Sequence, residues 1–230
     1  MTTPPLTSDL LLSAYAQGYF PMAQERHGEE LFWFSPEERG IIPLEEFHIP
    51  ARLARFLRRC PYRITVDAAF EKVIAACADT PRAHEKGTWI NDRIIALYTH
   101  LHAQGHAHSV ECWEGDALAG GLYGLSLGGA FFGESMFSHA DNASKTALVA
   151  LVTLLREGGY GLLDTQYVNP HLRQFGCIAI SKKDYLDRLT KALRISPNPS
   201  SRFMSVAGTI FNASSLPVSS TFPPETSSRN

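Results

Sequence analysis

Apolar and polar positions along the chain change period several times, and each change marks an element. Ser8 to Gln17 spaces its apolar residues for a short helix, which Gly18 stops. The chain then turns Pro- and aromatic-rich and loses periodicity through GYFPM and FWFSPEERG, which reads as irregular. Pro50 to Arg59 predicts a basic helix, with Pro at the tolerated first turn. From Tyr62 the pattern becomes regular. A strand (Tyr62 to Val66), a helix (Ala68 to Ala78) and a second helix (Asp92 to Ala103) are predicted.

Three strands follow, His108 to Trp113, Leu118 to Leu125 and Ala130 to Phe137. Turn-rich connectors at Glu114-Gly115-Asp116 and Leu127-Gly128-Gly129 make them an antiparallel meander. The run ALVALVTLL is hydrophobic nearly all round, so it predicts a buried helix, capped by Asp141 or Asn142 and stopped by Gly158-Gly159. A strand (Gly161 to Tyr167), a short strand near Cys177 to Ile180 and a helix (Lys182 to Leu193) complete the pattern. This order predicts an α+β protein with an acetyltransferase-like (GNAT-like) mixed sheet and flanking helices. Order alone gives no function.

Composition divides the chain. The last 36 residues, Ile195 to Asn230, hold 18 Ser, Thr or Pro and no sustained periodicity, which predicts a disordered tail. The expected units are therefore a small N-terminal α/β domain at 1–61, the main domain at 62–194, and the tail at 195–230. With 44% hydrophobic and 19% charged residues overall, the chain can form a real core. Neither a basic leader nor an apolar run near the roughly 18 residues of a membrane span is present, so a cytoplasmic protein that does not enter membranes is expected.

Several motifs weigh against familiar chemistries. Four scattered cysteines without CxxC spacing support neither a disulfide framework nor a zinc ribbon. His100 and His102 lie two apart on a helix and do not share a face, so no metal is expected. Gly124-Leu-Ser126-Leu-Gly128 fits G-x-S-x-G, but that elbow must join a strand to a helix and this one joins two strands. The loop Ser138 to Ser144 before the apolar helix has no glycine and carries Asp141, which disfavours the pyrophosphate of coenzyme A. No cofactor is expected.

Other residues point to a site. Net charge is only −2, yet Arg52, Arg55, Arg58 and Arg59 share one helix face with no acidic neighbour, as a phosphate-binding face would. Strand alternation puts Phe132, Glu134 and Met136 on one face and Phe131, Gly133, Ser135 and Phe137 on the other. A carboxylate among aromatics needs a partner, either a protein cation or a ligand ammonium. The same alternation aims Asp164 and Gln166 at one face, where an acid beside an amide could orient a nucleophile and accept its proton. Either pair reads equally well as structural hydrogen bonding.

GYFPM, FWFSPEER, GTWI, LHAQGHAHSVECW, LAGGLYGLSLGGAFFGESMFSHADNASKTAL and DTQYVNPHLRQFG together resemble the bacterial leucyl/phenylalanyl-tRNA–protein transferases, in order from about Leu11 to Leu189. The resemblance implies transfer of Leu or Phe, with Met a further donor, from aminoacyl-tRNA to the α-amino group of proteins starting with Arg or Lys, creating a degradation signal. A monomer is expected. The resemblance also implies that Leu122, Phe131, Leu148, Leu151 and Leu163 line an apolar pocket, with Gly133 allowing close backbone approach. Glu134 would recognise the aminoacyl amino group or help place the 3′ adenosine, and Trp89 with GYFPM would stack on that adenosine. Asn169 would join the substrate site, Asp164 and Gln166 would be catalytic, and the Arg face would hold acceptor-stem phosphates. Three departures from the family pattern stand out: Met22 where Trp is usual, Thr165 in the usual Asp-Cys-Gln, and Gln174-Phe175 in the usual His-x-x-Ser-Leu-Gly. A coenzyme A-dependent N-acyltransferase and a non-catalytic tRNA-binding module are the competing readings.

Overall fold

The computed structural model describes residues 6–24, 26, 30–80, 88–198 and 211–216. Helix α1 (Ser8–Ala16) starts at Thr7, whose hydroxyl accepts the Leu10 N–H, and ends at Gly18 with φ +83°. The stretch expected to be irregular forms three strands. β1 (Phe20–Ala23) and β2 (Leu31–Phe34) pair as an antiparallel ribbon, and β3 (Glu38–Ile42) enters the main sheet. β1 and β2 carry aromatic residues, which strands favour, and β3 carries Ile41 and Ile42, while proline and glycine hid the pattern.

Helix α2 (Ala51–Leu57) is shorter than expected and leaves Arg58 and Arg59 beyond its last turn. Then come β4 (Arg63–Val66), α3 (Phe70–Asp79), α4 (Asp92–Ala103), and the meander β5 (Ala107–Glu114), β6 (Ala117–Leu127) and β7 (Ala130–Ser138). The long helix α5 (Ala143–Glu157) follows, then β8 (Leu162–Gln166), α6 (Pro170–Arg173), β9 (Ile178–Ser181), α7 (Lys182–Leu193) and β10 (Phe211–Asn212). Neither Asp141 nor Asn142 caps α5 with its side chain. Asn142 takes φ +61°, and Ser138 Oγ accepts the Ser144 N–H instead.

Among the described residues the main sheet has eight strands in the order β10-β4-β5-β6-β7-β8-β3-β9. Only β7 and β8 run parallel, and their pairing covers three positions, ending at Phe132 opposite Asp164. Beyond that point β7 continues to Ser138 and β8 to Gln166 without pairing, so the two strands part. Helix α5 covers one face, and eleven of its fifteen residues are buried, in a core shared with residues of α2 and with residues 213 and 216. Helices α1, α3, α4 and α7 contribute to the core on the other face.

Residues of the expected N-terminal unit pack into the main sheet and its core. β3 is flanked by β8 and β9, and Leu53 and Leu57 of α2 lie in the core under α5. The tail also departs from expectation over 211–216. β10 pairs with β4, and Ala213 and Leu216 are buried in the core. A short apolar stretch inside a polar tail suffices, because the edge of β4 offers ready backbone partners. The rest of the predicted tail beyond 198 lies outside the described residues.

Candidate active site

The site lies where β7 and β8 part, at the carboxyl ends of parallel strands, the usual place for a ligand in such sheets. Two local irregularities build it. Opposite β6, Tyr123 faces Ser135 and Gly124 faces Gly133, so Glu134 is the extra residue of a β-bulge. The bulge resets the alternation. Phe132 and Phe137 therefore share one core and Phe131 packs in the other, contrary to the expected faces. Opposite β3, Gly40 faces Gln166 and Ile41 faces Asp164, which leaves Thr165 as the extra residue.

Gln166 ends β8 at φ +58°, inside a three-residue turn closed by the Tyr167 N–H to the Thr165 carbonyl at 2.6 Å. That backbone region is strained for a non-glycine residue, and such strain collects at functional sites. The turn crowds Gly40, where a Cβ would come within 2.6 Å of the Tyr167 carbonyl carbon. Only glycine fits there. The Thr165 hydroxyl lies 3.4 Å from Cys177 Sγ, so it is held by a neighbour outside the carboxylate cluster.

Asp164 is fully buried and receives four donors. Arg39 approaches bidentately, with Nε 2.9 Å from Oδ1 and Nη2 2.6 Å from Oδ2; the Tyr185 hydroxyl donates at 2.7 Å and the Gln166 N–H at 2.8 Å. Arg39 itself lies between the rings of Phe20 and Tyr185, 4.5 and 4.6 Å from their centroids, and donates Nη1–H to the Gly18 carbonyl. Burial, then the Asp164 charge, pushes the Tyr185 hydroxyl up, so it stays a donor. Asp164 and Gln166 meet through the backbone of Gln166, and Asp164 so holds the strained turn.

Glu134 is partly buried across the opening. Its Oε1 accepts the Tyr15 hydroxyl at 2.6 Å and lies 3.5 Å from Gln166 Nε2, at the edge of hydrogen-bond reach. Tyr15 is hydrogen-bonded in turn to the Tyr98 hydroxyl. Burial pushes the Glu134 carboxyl up to about 8, against the opposing hydrogen bond from Tyr15. Burial also raises Tyr15 and Tyr98 well above the usual phenol range, so both keep their protons. Among the described residues no Lys, Arg or His forms an ion pair with Glu134, because Arg39 is committed to Asp164.

The remaining candidates divide. Leu122, Phe131, Leu148, Leu151 and Leu163 come together in the core under α5, and a Cβ on Gly133 would meet only the Asp164 carbonyl oxygen, at 3.5 Å. Trp89 is buried in the opposite core at 8% exposure, its carbonyl accepting the Ala23 N–H, so it offers no open stacking face. Asn169 caps α6, its side chain accepting the Leu172 N–H at 2.8 Å. Arg52, Arg55, Arg58 and Arg59 are all exposed. Ser126 sits within β6 and bonds the Tyr160 hydroxyl at 2.8 Å, and His102 stacks on Phe70.

Arg39, Tyr15, Tyr98 and Tyr185 belong to the site and were not singled out from sequence. One signal existed for Arg39. A buried carboxylate in a strand demands a cation, and the FWFSPEER motif ends in one.

The chain is similar to known proteins. The family model described as leucyl/phenylalanyl-tRNA protein transferase matches residues 41–190, and the model for that family's N-terminal domain matches residues 5–37. Proteins named leucyl/phenylalanyl-tRNA–protein transferase are similar over 80–82% of the chain. The one from Caulobacter vibrioides is 58% identical over 187 residues, covering 81% of this chain and 86% of that protein. The one from Paramagnetospirillum magneticum is 56% identical, covering 82% and 90%, and that from Hyphomonas neptunium 55%, covering 80% and 71%. Among solved structures, L-PGS from Bacillus licheniformis superposes with a TM-score of 0.38 and 13% identity over 78% of this chain and 68% of that one, a likeness too slight to argue from. The chain is an aminoacyltransferase. It belongs to the leucyl/phenylalanyl-tRNA–protein transferase family.

Proposed function

We propose that this chain transfers Leu or Phe, with Met as a further donor, from aminoacyl-tRNA to the N-terminal α-amino group of proteins starting with Arg or Lys, marking them for degradation. The observation that carries this reading is Glu134, a carboxylate in the β7–β8 opening with hydroxyl and amide partners and no ion-paired cation among the described residues. Such a group is suited to a ligand ammonium. Both substrates bring an amine to the reaction centre.

The aminoacyl ester is already activated, so no enzyme-bound intermediate is required. The work is to hold the acceptor amine within attack distance of the ester carbonyl. Gln166, fixed by its strained turn, presents an amide to that amine, and Asp164 with Arg39 and Tyr185 holds the turn. The Leu and Phe side chains would enter the apolar cluster of Leu122, Phe131, Leu148, Leu151 and Leu163 past Gly133. The exposed Arg face of α2 would take tRNA phosphates, which carry no amino-acid identity. The parting of neighbouring parallel strands supports an acetyltransferase-like arrangement. We place the protein in the cytoplasm as a monomer, away from membranes.

Incubation of the full chain with an Arg-starting peptide and either Phe-tRNA or acetyl-coenzyme A tests the assignment. Phenylalanyl peptide from Phe-tRNA alone is expected. Acetyl peptide would make it a coenzyme A-dependent enzyme, and tRNA binding without product would make it a binding module.

A further inference from the structure

We propose that Glu134 is the proton acceptor of the transfer reaction, held for that task by the hydroxyls of Tyr15 and Tyr98. The proposal rests on the transferase reading above and goes beyond it, since aminoacyl transfer requires the acceptor amine to lose a proton and leaves open where that proton goes.

The geometry removes the competing carboxylate. Asp164 is fully buried, and its two oxygens accept from Arg39 Nε and Nη2, Tyr185 and the Gln166 N–H. A carboxylate so occupied has no free position for an incoming N–H. Gln166 holds an amide, which can accept a hydrogen bond but is too weak a base to keep the proton. Glu134 differs on each count. It sits on the bulge where β7 leaves β8, and its hydrogen-bond partners are the phenols of Tyr15 and Tyr98 and a distant amide. One oxygen has accepted Tyr15; capacity on the carboxylate remains for a substrate amine.

The groups facing Glu134 come from four elements: Tyr15 on α1, Tyr98 on α4, Arg39 on β3, and Asp164 with Gln166 on β8. Arg39 and Asp164 neutralise one another at close range, so burial dominates and lifts the carboxyl to about 8. An α-amino group titrates at about 7.7–8.0. Donor and acceptor are therefore matched, and proton transfer between them is close to thermoneutral, the condition under which general-base catalysis is most effective. An ordinary glutamate, near 4.3, would be far too weak a base for an ammonium.

The acceptor arrives as an ammonium and gives one proton to Glu134. The freed amine attacks the ester carbonyl, forming the C–N bond, and the ester C–O bond to the ribose then breaks. A second amine proton goes to the leaving ribose oxygen. The third stays on the new amide, and Glu134 returns its proton to water.

The test is single-turnover transfer from Phe-tRNA to an Arg-starting peptide, both saturating, from about pH 6 to about pH 9.5, a range spanning the ionisation of acid and amine. Wild-type rate should rise through a midpoint near 8. Glu134→Gln should lower kcat at least about tenfold, the low side of a general-base contribution, with KM for Phe-tRNA nearly unchanged, and Glu134→Asp should recover part of the loss. Tyr15→Phe removes a hydrogen bond that favours the ionised carboxyl, so the midpoint should move up. Carboxyl-carbon NMR of the free protein should show Glu134 titrating with the same shift. A Glu134→Gln variant that raises KM and keeps kcat would return Glu134 to a purely binding role. An unmoved Tyr15→Phe midpoint would overturn the part given to Tyr15. A wild type that transfers nothing from Phe-tRNA would refute the transferase reading itself, which separates the two failures.

Discussion

Arg39 and Asp164, 125 residues apart in the chain, meet in a bidentate ion pair in which neither side chain is more than 1% exposed. The pair ties β3 to β8 just before the strained turn at Gln166. Removing one partner leaves a buried charge. Arg39→Met and Asp164→Ala should each cost about 3–5 kcal/mol of stability, and the double variant should cost much less than their sum. Urea denaturation midpoints of the three variants give the coupling; single losses below about 1 kcal/mol would show that water reaches the pair.

Gln166 separates backbone strain from side-chain chemistry. At φ +58° a glycine is at ease, so Gln166→Gly should hold or raise the melting temperature, by an amount worth up to about 1 kcal/mol, while transfer falls at least about tenfold. A stable variant that keeps wild-type kcat would take the amide out of the mechanism.

Much of the site was legible in the sequence, and the misses have identifiable causes. Glu134, Asp164 and Gln166 stood out because polar groups interrupt apolar strands, and the structure gathers them at one opening. Their geometry was not legible. Period-two alternation assumes unbroken register, and bulges at Glu134 and Thr165 break it where the chemistry lies. Tyr15 was hidden inside an ordinary amphipathic helix, since its contact with Glu134 spans 119 residues of chain. β1 to β3 were missed because proline, glycine and exposed aromatics mask two short ribbon strands and the sheet strand that follows them. Helix α7, with caps and a clean 3.6-residue period, was legible to the residue.

The carboxyl of Glu134 also makes stability depend on pH. Its folded-state ionisation lies near 8 against an ordinary 4.5, so the folded protein holds a proton that the unfolded chain releases. That contribution is fully present below about 4.5, falls as pH rises, and is gone above about 8. Glu134→Gln should therefore gain stability relative to wild type across this window, read from melting temperatures in matched buffers. A constant difference would mean the carboxyl ionises normally.

The end of the described chain should contribute to stability. Truncation after Arg194 deletes β10 and the buried Ala213 and Leu216, and full burial of a leucine is worth about 1.5–3 kcal/mol. Melting should fall by at least about 4 °C, at roughly 2–4 °C per kcal/mol for a chain of this size. Truncation after Leu216 should leave it within about a degree.

The Arg face of α2 offers a test that depends on salt. Arg55→Ala with Arg58→Ala should weaken binding of Phe-tRNA and flatten the slope of log affinity against log salt by roughly two units or less. An unchanged slope would leave α2 a solvated face.

The central claim is that the β7–β8 opening joins an aminoacyl group to a peptide amine. Mass spectrometry of an Arg-starting peptide after incubation with Phe-tRNA and the full chain tests it most directly, with Gln166→Gly alongside. One added phenylalanyl residue on the peptide's α-nitrogen is expected with the wild type and at least about tenfold less with the variant. Equal product from both, or phenylalanine on a lysine side chain in place of the N-terminus, would contradict it.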